Sequence, residues 1–215
     1  MLTIENAETF GWEAAIRGMR SPKNSWDKSD SWWSSPDENG TDEPMYIIGE
    51  NDLKLMKTLA AAGQDHGKFL RMIHVQLDVT APLYWWKEAD TYSVGVVKNS
   101  CSTMHKIHAK EFTLDDFSHE HLYSPLQDLK PTVDLLNVYR ERFLDTKDKE
   151  DWWQLIQLLP SSYNQRRTWD LNYAVLRNIY HARKGHRLDE WKTLLDWIET
   201  LPYAKELICS VGKNT

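Results

Sequence analysis

Between Ile73 and Thr80 the chain alternates without a break: Ile73, Val75, Leu77 and Val79 on one side, His74, Gln76, Asp78 and Thr80 on the other. Successive side chains of a strand point to opposite faces of a sheet, so this period of two predicts a strand with one face in a core. Ala81-Pro82 closes the run, because proline has no N–H for a ladder and a fixed φ. Leu83 to Tyr92 then reads as a short aromatic helix and Asn99-Ser100-Cys101-Ser102 as a small polar loop. A strand that passes through a helix into a polar loop is one way to build a wall of a ligand site.

Helical spacing dominates elsewhere. A short strand or turn leads into a helix carrying Trp12, Ala15, Ile16 and Met19. Asn51 or Asp52 is placed to cap a helix with Leu53, Leu55, Met56 and Leu59 inward, and Gly63 to stop it. Thr113 with Asp116 has the outline of a capping box. Pro131 suits the first turn of a helix to Leu144, with Val133, Leu136 and Phe143 inward. A charged turn, Lys147 to Glu150, precedes a helix from Trp152 to Leu159. Pro160-Ser161-Ser162 is expected to break it and cap a long helix from Tyr163 to Ala182 ending at Gly185. A last helix, Leu188 to Leu201, carries Trp191, Leu194, Leu195 and Ile198. The class is α+β: an antiparallel sheet with several packed helices.

At 215 residues the chain suits a single domain, 1–215. A net charge of -6 argues against a nucleic-acid polymer as partner, which needs clustered cations to displace counterions, yet leaves room for a mononucleotide. Cys101 and Cys209 are too few for a disulfide framework, which points to a reducing, cytoplasmic location. No apolar run approaches the ~20 residues a membrane span needs. Eleven tryptophans must be buried in the core, at a ligand or between subunits. Three of them, Trp26, Trp32 and Trp33, sit in the Ser-, Asp- and Pro-rich stretch 21–45. That composition reads as a loop, which either packs back on the domain or serves as a lid or subunit contact.

In order along the chain, Gly63, Phe69, the strand, Ala81-Pro82, Asn99-x-x-Ser102 and then Leu159-Pro160, Arg166, Trp169, Asn172, Leu176, Asn178 and Arg183 resemble the flavin-dependent thymidylate synthase family. Ala14-Ala15-Ile16-Arg17 and Ser25-Trp26 echo an N-terminal element of the same family. The resemblance covers roughly two-thirds of the chain. It implies the thymidylate-synthase-complementing-like fold and a homotetramer with sites between subunits. It further implies reduced FAD and methylenetetrahydrofolate as cofactors for methylating dUMP or a related pyrimidine nucleotide. By position, Arg183 is implied as the catalytic residue that meets the pyrimidine, and Asn172, Asn178 and Ser25 as flavin ligands. Asn99, Ser100 and Ser102 are implied at the phosphate. The family's Arg-His-Arg motif is missing: Tyr92, Ser93 and Val94 stand there, and Met104 replaces the loop's arginine. The Gly-His…Phe-Glu element is displaced, leaving Asp65-His66 and Leu70. Phosphate charge would have to come from Lys98, His105 or Lys106.

On a helix through both, Asn172 and Arg183 would share a face to within about 20°, with Asn178 about 120° away. Cys101 invites a nucleophile reading, but no activating base stands at a known spacing. His105, His108, His119 and His121 match no established zinc spacing, so no metal is expected; a polar network of Asp115, Asp116, His119 and Glu120 with Lys106 or Lys110 is the alternative. A non-catalytic protein that binds or sequesters a nucleotide, and a structural homo-oligomer, are the competing functions.

Overall fold

The alternating run becomes the spine of an antiparallel sheet. The computed structural model describes residues 1–35 and 44–210. The elements run β1 (Thr3–Phe10), α1 (Trp12–Arg20), β2 (Trp32–Trp33), β3 (Tyr46–Ile47), α2 (Glu50–Ala61), β4 (His74–Pro82), α3 (Leu83–Ala89), β5 (Val97–Ser100), α4 (Pro125–Asp128), α5 (Lys130–Thr146), α6 (Lys149–Leu158), β6 (Asn164–Asn172), α7 (Tyr173–Arg183), α8 (Asp189–Ile198) and α9 (Ala204–Leu207). The main sheet has the order β1-β4-β6-β5, and β2 pairs with β3 in a minimal hairpin. The expected α+β class with an antiparallel sheet and packed helices is what the chain forms.

One expectation fails outright. The first half of the supposed helix from Tyr163 is strand β6, and only Tyr173–Arg183 is helical. β6 pairs with β4 in unbroken register from His74↔Asn172 to Pro82↔Asn164. Gln165, Trp169 and Leu171 face inward, a period of two that the charges at Arg166, Arg167 and Asp170 obscure. The polar loop is also shorter than expected, since Asn99 and Ser100 pair with β6 on the sheet edge.

Val75, Leu77, Val79, Trp169 and Leu171 line the inner face, and Trp85, Trp86, Leu176, Ile179 and Trp191 pack on it. Trp85 contacts Trp86, Trp169 and Trp191 with ring centroids 4.8, 6.1 and 4.9 Å away. The first two pairs are edge-on, the geometry that adds about 0.5–1.5 kcal/mol to area burial. A smaller core of Phe112, Phe117, Val133, Leu136 and Leu155 lies under α5 and α6.

The outer sheet face is polar and organised. Asp78 accepts from Asn6 (2.9 Å), Arg166 (2.8 Å) and Thr168 (2.6 Å). These bonds hold its carboxyl far below the ordinary range. Asn6 sits in a bulge of β1, with φ 52, where the register slips by one residue; asparagine tolerates that left-handed backbone. Gly11 precedes α1 at φ +90, and a Cβ there would meet the Met72 carbonyl oxygen at 2.1 Å, so only glycine fits.

The Trp-bearing stretch is tied down chiefly through Asp52, with Trp33 Nε1 donating to Glu13 of α1 (3.2 Å) as a surface tether. Trp26, Trp32 and Trp33 are exposed, so none packs back into the core; residues 36–43 of that stretch lie outside the described residues. Asp52 is buried, pairs with buried Arg20 (2.6 Å), and accepts from Ser29 and Ser31 hydroxyls and from the Asp30 and Ser31 backbone. It is not the cap of α2. Asp30 is, accepting from the Asn51 and Asp52 N–H groups. The expected capping box, Thr113 with Asp116, is present on a single 3₁₀ turn.

Burial raises the Asp52 pKa, but the bonds from Ser31, Ser29, Arg20 and Asp30 outweigh it and hold the group below its ordinary value. The ionised carboxylate therefore stabilises the fold above the unfolded-state pKa, and this is lost as pH falls through the depressed folded value. Asp52→Asn leaves Arg20 buried without its counter-charge and should cost about 3 kcal/mol or more at neutral pH in urea unfolding. The gap to wild type should stay flat at neutral pH and narrow below about pH 4.

Candidate functional site

The register of β4 against β6 decides where the chemistry sits. Each strand has 9 residues, or ~30 Å. α3 leaves the Pro82 end and α7 leaves the opposite end, after Asn172. Both fold back over the same inner face, α3 for ~10 Å and α7 for ~16 Å. Their C-terminal tips therefore meet over the sheet.

Arg183 and Glu88 are the residues at those tips. Arg183 Nη1 donates to Glu88 Oε2 (3.0 Å) and Nε to the Tyr92 hydroxyl (2.9 Å). Its guanidinium lies 4.5 Å from the Trp191 ring centroid and 5.4 Å from that of Tyr92. Trp191 Nε1 donates to the same Glu88 oxygen (3.0 Å), and His186 Nε2 lies 3.2 Å from it. The Leu188 backbone N–H donates to His186 Nδ1, which leaves the ring proton on Nε2, toward Glu88. Two atoms remain unengaged among the described residues: Arg183 Nη2 and Glu88 Oε1. The Arg183 side chain is 18% and the Glu88 side chain 36% exposed, so both open edges reach solvent.

A second ion pair flanks this one. Asp90 receives Arg167 (2.8 Å) and Lys98 (3.2 Å), and Arg167 stacks 4.3 Å over Trp86. Lys98 also donates to the carbonyls of Ala89 (2.9 Å) and Tyr92 (3.1 Å), closing the end of α3. Burial pushes its ammonium below the ordinary lysine value.

The expected flavin ligands do not converge in one chain. Asn172 is buried and caps α7, Oδ1 accepting from Val175 N–H (3.1 Å) with Nδ2 3.5 Å from the Gly95 carbonyl. Gly95 has φ +70, and a Cβ there would stand 3.2 Å from that Nδ2. Asn178 is exposed on α7. Ser25 lies beyond the end of α1, where its carbonyl accepts from Arg20. Asn172 is not on a helix face with Arg183 at all, since it ends β6.

The phosphate candidates lie together on one exposed stretch, the end of β5 and the turn after it. Asn99 and Ser100 are exposed on the edge strand, and Ser102 Oγ accepts from the Met104 and His105 N–H groups in a local turn. His105 and Lys106 are exposed in that turn. A cleft of about 310 Å³ opens beside it, lined by Cys101, Lys110, Asp116, Tyr163 and Arg166 among others. Its cations are already matched: Lys110 with Asp116, Arg166 with Asp78 and Glu5. Lys110 and Asp116 are the part of the expected polar network that forms; His119 bonds the Phe117 carbonyl and His121 faces Asp189. No three His, Cys, Asp or Glu side chains converge on a common point among the described residues. Nor is any helix there long and apolar enough to cross a membrane. Sequence reasoning missed Glu88, His186 and the site role of Trp191, because their partners lie far away in the chain.

No family model and no curated protein matches the sequence. Solved structures match in fold. A flavin-dependent thymidylate synthase from Helicobacter pylori complexed with FAD and dUMP superposes at TM-score 0.66 with 16% identity, over 95% of this chain and 97% of that one. A second structure of the Helicobacter pylori thymidylate synthase X with FAD and dUMP gives 0.71 and 13%, over 96% and 97%. A UMP/dUMP methylase from Streptomyces cacaoi bound with 5-Br dUMP gives 0.64 and 14%, over 100% and 97%. The chain has the fold of the flavin-dependent thymidylate synthases along its length.

Asn172→Ala should remove the α7 cap and cost about 1 kcal/mol, whereas Asn172→Asp, which keeps an acceptor, should cost less. Thermal melts of the two variants against wild type check this.

Proposed function

We propose that this chain is a divergent member of the flavin-dependent thymidylate synthase family that binds a pyrimidine nucleotide, dUMP or a relative, with the base against Arg183. Arg183 carries the reading. Its guanidinium is stacked against Tyr92 and Trp191, two of its nitrogens are committed, and Nη2 is left facing outward. A guanidinium fixed in this way is a directional donor for a carbonyl oxygen. It stands on a fold whose solved examples hold dUMP or 5-Br dUMP.

Methyl or one-carbon transfer with FAD and methylenetetrahydrofolate is the enzymatic form of this proposal. The residues of a single chain do not fit a flavin: the Asn172 amide is spent on the α7 cap, and Ser25 and Asn178 share no partner with it. The proposal therefore places the flavin site between subunits of a homo-oligomer, a tetramer as in the resembled family, within the cytoplasm, and treats 1–215 as one domain. A nucleotide-binding or sequestering role without chemistry is the second reading. It is favoured by the pairing at the site, where Glu88 takes Arg183 and a single carboxylate, Asp90, takes both Arg167 and Lys98. Unpaired arginines would favour a phosphate; these are paired.

The test is the visible absorbance of the purified protein after FAD is added and dialysed, together with calorimetric titration of dUMP. A retained flavin band supports the enzyme. dUMP binding without a band supports the second reading, and neither signal overturns both. Arg183→Ala should weaken dUMP binding about tenfold or more and leave FAD retention unchanged.

A further inference from the structure

We propose that Glu88 is a specificity-determining residue of this site, and that it reads an N–H on the edge of the bound base beside the atom met by Arg183. The inference rests on the pyrimidine reading and adds a second recognition group to it.

Glu88 is held for such a task. Its Oε2 takes Arg183 Nη1 and Trp191 Nε1, with His186 Nε2 also within 3.2 Å. Those contacts come from two elements, α7 and α8, and from the turn between them, so the carboxylate cannot swing freely. Its Oε1 has no partner among the described residues, and the side chain is 36% exposed. An anchored carboxylate with one open oxygen is a fixed acceptor. The neighbouring open group, Arg183 Nη2, is a fixed donor.

A donor beside an acceptor complements a planar edge that carries an acceptor beside an N–H. Uracil presents this as its N3–H between two carbonyls. Cytosine presents it as the exocyclic amine beside N3. A phosphate presents only acceptors and would meet Glu88 as a like charge. The pair thus selects the base and turns the phosphate elsewhere.

The experiment compares dUMP, N3-methyl-dUMP and dCMP on wild-type protein by calorimetry, then on Glu88→Gln and Glu88→Ala. dUMP should bind about tenfold or more tighter than its N3-methyl analogue, and the gap should close in Glu88→Ala. Preferential dCMP binding that is lost in Glu88→Ala would also support Glu88, with the exocyclic amine as the source of the N–H. Equal wild-type affinity for dUMP and N3-methyl-dUMP, with no preference for dCMP, would overturn the assignment while leaving the pyrimidine reading intact. No binding of any of the three nucleotides to wild type would instead sink the pyrimidine reading itself. The analogue comparison needs no substitution. Glu88→Gln keeps a carbonyl for Trp191, so its binding profile reads charge and not folding.

Discussion

The β4–β6 ladder is the constraint on which the rest of the molecule depends. Its register puts Leu77 opposite Trp169, so the middle of the sheet presents apolar surface to two helices arriving from opposite ends. A slip by one residue would turn Val75, Leu77 and Val79 to solvent and bring Asp78 and Gln76 under the tryptophans. The same pairing makes α3 and α7 run toward each other until their C-termini meet. Each C-terminus carries roughly half a negative charge from its unpaired carbonyls. Two such ends together repel, and both Glu88 and Asp90 add to the problem. Arg183, Arg167 and Lys98 are the answer to it, and their positions follow from helix-end electrostatics as much as from any ligand.

That double duty explains why part of the molecule could be read from its sequence and part could not. β4 has every polar residue on the open face and every apolar one on the closed face, so its periodicity is unambiguous. β6 has the same period, but Gln165 and Arg167 stand where apolar residues would be expected. Arg167 is tolerated there because its guanidinium stacks on Trp86 and pairs with Asp90, which lies 77 residues away in the chain. Gln165 is tolerated because its amide donates to the Cys101 carbonyl and accepts from Arg167. Trp86, Asp90 and Cys101 all lie outside a window of nine residues around β6, and Asn172 through Arg183 carry a real helical pattern that invites extension backward over the strand.

Residue identity and residue role separate in the same way at the site. Arg183 is recognisable through family resemblance, and it does stand at a solvent-reaching tip among aromatic rings. Asn172 is equally recognisable, yet its amide is spent on the first turn of α7 and on the Gly95 carbonyl. A cap is a local device, and Asn172 three residues before Val175 has the spacing for one. Reading residues 163–182 as a continuous helix hid it, because a mid-helix asparagine has no cap to make. Glu88 had no local signal at all. Its meaning comes from Arg183, His186 and Trp191, which reach it from about a hundred residues further on.

A carboxylate beside an arginine also changes what that arginine can bind. Alone, a guanidinium attracts any anion, and a phosphate wins because it offers more charge and more oxygens. Paired with Glu88, Arg183 keeps the direction of its N–H groups and loses most of its net attraction. Discrimination then passes from charge to hydrogen-bond pattern. A mismatched edge leaves a desolvated donor or acceptor unpaired, a penalty of about 1–3 kcal/mol that falls only on wrong ligands. The tryptophan and tyrosine rings that hold the pair in place make the pattern rigid, and rigidity is what gives a two-atom pattern its selectivity. Under the pyrimidine proposal, the pairing of Arg183 with Glu88 suits a site that reads a base by its edge and leaves its phosphate to a second surface, which the sheet edge at Asn99 and Ser100 or a neighbouring subunit would supply.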